Sequence, residues 1–593
     1  MINEIVIRYA RSGRWLRFVN PSEVFVARTP EEIAPLLRDI ESRAKSQGFY
    51  AAGFISYEAA AGFDSALQTK APGSFPLLCF GLYPAVIELK SLDGPGSDRH
   101  VDNSSSAAAS VHWQLSQQKD HYIEQINTIK QLIQAGDTYQ VNYTIRQLAE
   151  YYGDAWQLFS NVASTAPYGA YVDLDNYTIC CASPELFFEL NEGTILSRPM
   201  KGTAPRGTTL ENDIEEKARL FESAKDRAEN IMIVDMIRND IAKVADSGSV
   251  RVEKLFEIEK YSTLWQMTSS VTASTGASVA EIMQALFPCA SITGAPKVNT
   301  MGIIESLEDR PRNIYTGSIG FISPQSDAQF NVAIRTALID KNNNTIEYGI
   351  GSGIVWDSSA ENEFDECLLK AQLINTTRSE KSLSLFETIL WTVSDGYFLL
   401  NYHQRRLCAS AQYFDYPINT GKLSELLDVT AKSLGEADLQ PASYRVRVSL
   451  AGSGKLTVES ARIESENSKA PLAVALARTP VNSADRYLYH KTSERCVYQQ
   501  FREQFPELDD VLLWNENGEI TESSIANIVI RVGQKLLTPK LQCGLLAGTF
   551  RQYLLENGEI EEAIITVDEI RDCDELFLIN SVRKWQRANL IVG

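Results

Sequence analysis

Apolar positions along the chain fall into short continuous or alternating runs, separated by longer stretches with helical spacing. Near the start, "FPLLCFGLYPAVIEL" (75–89) reads as strands. "DHYIEQINTIKQLIQAGDTYQVNYTIRQL" (120–148) carries a helical period from Tyr122, a stop at Gly136–Asp137, and then a strand. In "AKDRAENIMIVDMIRNDIAKVA" (224–245), Ile231, Val234, Ile237 and Ile241 predict a helix with one apolar stripe. Short strands and amphipathic helices continue to about residue 374, followed by the polar segment "NTTRSEKS" (375–382), which reads as a linker. A second pattern starts at Leu383: strand, Asp395–Gly396 turn, strand, helix, then a hairpin from "YRVRVSL" to "GKLTVES". "DDVLLWNENGEITESSIANIVIRVGQKLLTP" (509–539) predicts strands joined at Asn517–Gly518. Ser/Gly/Asp-rich residues 91–111 read as a surface loop. The expectation from the pattern is mixed α/β in two parts, 1–374 and 383–593.

Composition narrows the chemistry. The chain has 593 residues, enough for several domains, with 44% hydrophobic and 22% charged residues. Its net charge of −20 argues against nucleic acid or an anionic membrane as main partner, and no apolar run is long enough to span a bilayer. Nine cysteines without a CxxC pair, Cys180 and Cys181 among them, suit buried thiols. The beginning lacks a signal-peptide pattern. Together these features predict a reduced, cytoplasmic protein. No histidine occurs between His121 and His403, so chemistry in that span must use Lys, carboxylates, Tyr, Cys or a metal.

Asp226 and Glu229 stand three apart on one predicted helix, and Glu363 and Glu366 three apart on another. Two such pairs make either an oxygen-rich cage for Mg²⁺ or two solvated helix faces. Between them lie the turn "SITGAPK" (291–297), the glycine-rich "YTGSIGF" (315–321) and "YGIGSGIV" (348–355), and Arg335 in an apolar run, where a buried guanidinium would want a carboxylate partner. Lys201 lies in "SRPMKGTAPRG" (197–207), a stretch whose prolines and glycines predict a stiff turn.

In order, "SPELFF", "SRPMKGTAPRG", "DRAENIMIVDMIRND", "FPCASITGAPK", "YTGSIGF", "FNVAIRT", "GIGSGIVWDS" and "ENEFDECLLKA" resemble the signatures of the chorismate-utilising enzymes. Those are anthranilate synthase, isochorismate synthase and aminodeoxychorismate synthase component I. The likeness is strong over residues 115–374 and weak before. A lysine at 201, where relatives resembling anthranilate synthase carry Ala, is similar to the aminodeoxychorismate branch. The resemblance implies that Lys201 is a nucleophile and Glu185 a general acid/base. It also implies Mg²⁺ contacts at Glu229 and Glu366, with Asp226 and Glu363 helping, and substrate contacts at Thr293, Tyr315, Arg335, Gly351, Ser352, Gly353 and Lys370. Gln266 stands where relatives that eliminate pyruvate carry His, which speaks against anthranilate as product.

In the second part, Lys491, Glu522 and a helix start at Gly548–Thr549–Phe550 combine a lysine, an acid and an anion seat, with Arg406 as a further cation. Alone they are equally a surface lysine, a loop acid and a capped helix. "SLFETIL", "NYHQRRL", "YHKTSERCVY", "GEITESSIANI", "GLLAGTFRQ" and "ELFLINSVRKW" resemble fold-type IV pyridoxal phosphate enzymes over 383–593. That resemblance implies Lys491 as the covalent anchor, Glu522 on the pyridine nitrogen, and Arg406, Thr549, Phe550 and Ser581 on the phosphate, with Thr388 facing substrate. The chain lacks the usual Gly-x-x-Pro after the serine turn. The two resemblances imply β-sheets packed between helices over 1–374 and two α/β subdomains over 383–593, and the lyase member of the second family would consume the first part's product. The combined expectation is a fusion that makes 4-aminobenzoate for folate from chorismate and ammonia. The alternative is an anthranilate- or isochorismate-type domain fused to a branched-chain or D-amino acid aminotransferase. No glutaminase segment is visible, so ammonia is expected from solution or from a separate glutamine amidotransferase subunit, and a homodimer through the second part is expected.

Overall fold

A computed structural model describes residues 1–92, 111–261, 263–372, 374, 383–437, 442–463 and 470–591. Most of the expected loop 91–111 and all of the expected linker 375–382 lie outside them. The chain forms two compact units: Met1–Ala204 with Arg219–Arg378, and Pro205–Ala218 with Ser379–Gly593.

The first unit is built on two ten-stranded sheets. Apolar side chains from both, among them Ile5, Phe18, Phe54, Val172, Ile179 and Phe321, fill the space between them. Helices Lys119–Ala135, Ala155–Ala163 and Ala360–Gln372 cover the outer face of one sheet. Helices Pro30–Gln47, Ala224–Ala242 and Val279–Leu286 cover the other. The expected sheets between helical layers are therefore present. The helix from 119 ends at Gly136, whose φ of 85° no β-carbon-bearing residue adopts cheaply, and the strand Gln140–Glu150 follows.

Two local expectations change. In helix Ala224–Ala242 the buried row is Asn230, Ile233, Val234, Ile237 and Ile241, while Ile231 is 44% exposed. Stepping back by 3.6 residues from 234 and 237 reaches 230 and 233, so a polar Asn takes the place assigned to Ile231. Lys201 lies on a strand, Met200–Pro205, rather than a turn. Pro199 separates it from the strand Thr194–Arg198, and the backbone stays extended past the proline.

The second unit carries a four-stranded sheet holding Ser384–Thr392, packed by helices Leu400–Phe414 and Thr420–Ala437, and a mixed eight-stranded sheet. The segment Pro205–Ala218 belongs to this unit: Arg206 pairs bidentately with Asp213, donates to the Tyr413 carbonyl and lies over the Tyr413 ring. Among the described residues no helix is long and apolar enough to cross a membrane, and the cysteines are free thiols.

Candidate active sites

In the first unit, strands Gln140–Glu150 and Thr345–Ile354 pair with Gly353 opposite Asn142 and Gly351 opposite Thr144. Side chains alternate across a strand. Tyr348, Ile350 and Ile354 enter the core under the helices, and Ser352 joins them, its hydroxyl 3.3 Å from the Tyr122 hydroxyl. Gly349, Gly351 and Gly353 face the other way and strip that side of β-carbons. A Cβ at 349 would collide with the Tyr315 ring, one at 351 with the Tyr143 carbonyl, and one at 353 with Lys201 Nζ. The alternating glycines make a bare floor on which the tyrosine ring and the lysine amine rest. Of the predicted triplet, Gly351 and Gly353 lie on this floor and the Ser352 side chain does not.

Lys201 reaches the floor from its own strand. Asn230 Nδ2 donates to the Lys201 carbonyl at 3.4 Å, and Gln266 Nε2 donates to the Gly202 carbonyl at 2.7 Å. Thr203 Oγ1 donates to Gln266 Oε1 at 3.2 Å. Gln266 thus ties down the lysine strand. Gly202, at φ 91°, lies against Asp226, whose Cβ would be 2.9 Å from any Cβ added there. Among the described residues Lys201 Nζ makes no ion pair.

Three acids nonetheless feel its charge. Glu185 is buried, accepts from Ser291 Oγ at 2.7 Å, and is pushed up to about 7 by burial, against the pull of Ser291 and Lys201. Burial also raises Glu229, partly offset by Lys201 and Lys225, while Asp226 and Glu363 add like-charge repulsion. For Glu366 burial acts upward, but the Lys370 ammonium at 2.7 Å wins and holds the carboxylate below its usual range. Lys370 also donates to the Gly351 carbonyl at 2.9 Å. Glu363 accepts from Ser358 Oγ at 2.8 Å. Among the described residues no three His, Cys, Asp or Glu are gathered into a ready metal cluster. The donor set is all oxygen, and the repulsion that Asp226 and Glu363 exert on Glu229 is of a kind a hard divalent cation relieves, so the residues fit one.

Tyr315 is buried under the Arg146 guanidinium, 4.9 Å from its ring. Arg335 sits at φ 50° just before the strand Thr336–Asp340, and burial lowers its pKa with only Tyr348 and Tyr261 opposing. Among the described residues no carboxylate forms an ion pair with Arg335, which leaves a guanidinium suited to a ligand anion. Thr293 is buried, its hydroxyl donating to the Cys289 carbonyl at 3.1 Å. One polar group escaped the sequence reading. Gln140, fully buried, has neither side-chain polar atom partnered, and its Nε2 would lie 3.2 Å from a Cβ at 353, beside the lysine amine.

In the second unit, Lys491 Nζ lies 5.0 Å from the Phe386 ring centroid, and burial with the nearby Arg406 charge lowers it to about 8. Glu522 is buried, accepts from the Tyr498 hydroxyl at 2.7 Å, and is raised to about 7 by burial. Helix Thr549–Glu556 starts after Gly548, where a Cβ would collide with Asn527 Oδ1. The Phe550 side chain packs with Phe398, Tyr553 and Trp585, so only its backbone N–H is available to an anion. Ser581 Oγ donates to the Thr388 carbonyl at 3.4 Å. Arg406 holds Glu387 through Nε at 2.8 Å and a terminal nitrogen at 2.6 Å, and donates to the Ala547 carbonyl. Glu387 also takes His403 Nδ1 at 2.6 Å, and His403 Nε2 is 3.3 Å from Thr549 Oγ1. Glu387 and His403 were not singled out from sequence. The signal was present, because His403 stands three residues before Arg406 on the same helix face.

The second unit thus brings together a half-buried amine, a buried acid and a helix start, and the first an amine over a glycine floor within reach of acids. Residues 3–376 match the family described as chorismate binding enzyme, and the chain belongs to it. Residues 384–591 match the family described as amino-transferase class IV. Among curated relatives, the chain is 41% identical over 266 residues to aminodeoxychorismate synthase component 1 of Klebsiella aerogenes, covering 44% of this chain and 58% of that protein. It is 36% identical over 267 residues to anthranilate synthase component 1 of Aquifex aeolicus, covering 44% of this chain and 54% of that protein. The chain therefore spans little more than half the length of the curated relatives it matches. A crystal structure of anthranilate synthase component I from Streptococcus pneumoniae shares the first unit's fold, with TM-score 0.53 at 23% identity over 61% of this chain and 92% of the other.

Proposed function

We propose that the protein makes 4-aminobenzoate in two steps, aminating chorismate in the first unit and eliminating pyruvate in the second. The observation that carries this reading is the Lys201 amine, free of ion pairs, lying over Gly353 within the electrostatic reach of Glu185. In the first step Lys201 Nζ, as free base, bonds to ring C2. The ring diene moves from C1=C2 and C5=C6 to C1=C6 and C4=C5, and the 4-hydroxyl leaves C4 as water with a proton from Glu185. Ammonia then bonds to C4, the diene returns to C1=C2 and C5=C6, and the lysine amine is released from C2. The net change is chorismate plus ammonia to the 4-amino compound plus water. Arg335, Lys370 and Tyr315 hold the two carboxylates, with Thr293 and the Gly351–Gly353 backbone lining the pocket. Glu229 and Glu366, helped by Asp226 and Glu363, would hold Mg²⁺, which supplies positive charge to the ring carboxylate.

In the second unit Lys491, Arg406, Thr549, Ser581 and the Phe550 N–H would hold pyridoxal phosphate, with Glu522 on its ring nitrogen and Thr388 beside the substrate. The cofactor supplies an electron sink. Lys491 removes the C4 proton, pyruvate departs, and the ring aromatises. Ammonia would come from a separate glutamine amidotransferase, the site of action would be the cytoplasm, and the second unit would pair as a homodimer. The test is incubation with chorismate, ammonium, Mg²⁺ and pyridoxal phosphate, with products identified by mass and fluorescence. 4-Aminobenzoate is expected, and 2-aminobenzoate would overturn the reading.

A further inference from the structure

His403 is buried in the second unit on helix Leu400–Phe414. The charged and titratable groups acting on it are Glu387 from strand Ser384–Thr392, Arg406 from its own helix, and Lys491. Glu387, gripped by Arg406, is held at about 2 although its own burial opposes this, so it remains a carboxylate. A carboxylate accepts only, so His403 Nδ1 carries a hydrogen and donates it. Burial, outweighing Glu387, lowers the ring's affinity for a second proton. In the neutral ring, Nε2 is then an acceptor. The 3.3 Å contact to Thr549 Oγ1 can be made only by the threonine hydroxyl donating to the ring.

That arrangement conflicts with an anion at the helix start. A phosphate has only acceptor oxygens when fully ionised, and Thr549, the first residue of its helix, already gives its one hydroxyl proton to His403. If His403 gains a proton, Nε2–H donates to Thr549 Oγ1, and the threonine O–H turns to the phosphate. The other route breaks the ring–threonine bond and leaves Nε2 buried without a partner.

We propose that His403 is a positioning residue of the phosphate seat, acting through Thr549, and that seating a phosphate dianion at Gly548–Thr549 draws a proton onto it. This rests on the second unit binding a pyridoxal phosphate-type ligand. The balance is one solvent proton taken up by His403 Nε2, with no bond made to the ligand.

The test is calorimetry of the full chain with 4-deoxypyridoxine 5′-phosphate, which keeps ring and phosphate but cannot bond Lys491. Titrations at pH 7.5 in two buffers of different ionisation enthalpy give the protons taken up. Wild type is expected to take up about half a proton or more per site above the uptake of His403→Gln, whose amide cannot be protonated and whose uptake reports only Lys491 and Glu522. Thr549→Val, which severs the link to the ligand, should lower the uptake likewise. Binding by wild type without uptake, or with uptake no greater than that of His403→Gln, overturns the proposal. If His403→Gln is unstable, Thr549→Val decides alone, and unchanged uptake there also overturns it. Absence of any binding by wild type would instead sink the cofactor assignment, and this inference with it. Free pyridoxine, lacking phosphate, should bind with the same uptake in wild type and in His403→Gln.

Discussion

Lys201, Glu185 and Lys491 carry the sharpest expectations at the scale of single residues. Lys201→Ala should abolish amination, whereas Lys491→Ala should leave the 4-amino intermediate accumulating, both followed by chromatography with mass detection. In the proposed amination Glu185 must be protonated to release the hydroxyl, and burial raises it from its usual range to about 7. The first reaction, assayed apart from the second, should therefore show a limb that falls as pH rises through about 7. The arm runs downward with pH because the raised group loses its proton there. In Glu185→Gln the remaining rate should be at least about a hundredfold lower and lack that arm. A wild-type profile that stays flat from pH 6 to 9 would remove Glu185 as the acid.

Among the elements, the strand Thr345–Ile354 matters most, because its alternate glycines set the floor. Gly353→Ala puts a methyl where the lysine amine lies, and should cut the amination rate about tenfold or more with little loss of fold stability. Rate and thermal midpoint, measured together, check this. Gly548→Ala drives a methyl into Asn527 Oδ1 at the start of the anion-seat helix and should weaken pyridoxal phosphate binding, read by absorbance titration.

The sequence made much of this visible. Helix 119–135, its Gly136 stop and the following strand follow from spacing and from a residue that tolerates positive φ. The hairpins at 395–396 and 517–518 follow from Asp-Gly and Asn-Gly turns. The lysine strand did not, because two prolines and two glycines read as a turn, and only pairing with distant residues 264–274 keeps that backbone extended. Gln140 was equally hidden: a glutamine between strand residues carries no signal until tertiary packing takes away both of its partners. The carboxylate pairs showed their i,i+3 spacing, but not that Lys370 already claims Glu366.

For the whole molecule, the governing fact is that the chain passes between its two units at 204–205, 218–219 and 378–379. A fragment beginning at Ser379 lacks the Arg206 contacts to Tyr413 and the hydrogen bond from the Tyr413 hydroxyl to the Gly207 carbonyl. Its thermal midpoint should lie roughly 5 °C or more below that of the second unit's transition in the full chain, by calorimetry. Adding a peptide of residues 205–218 in trans should recover part of the difference. At the level of the gene, fourteen codons that precede most of the first catalytic machinery's acids encode structure belonging to the other half. Neither half is a cassette that recombination can lift out at the polar segment near residue 378, and a lineage that split this gene there would have to rebuild a missing piece of the downstream product.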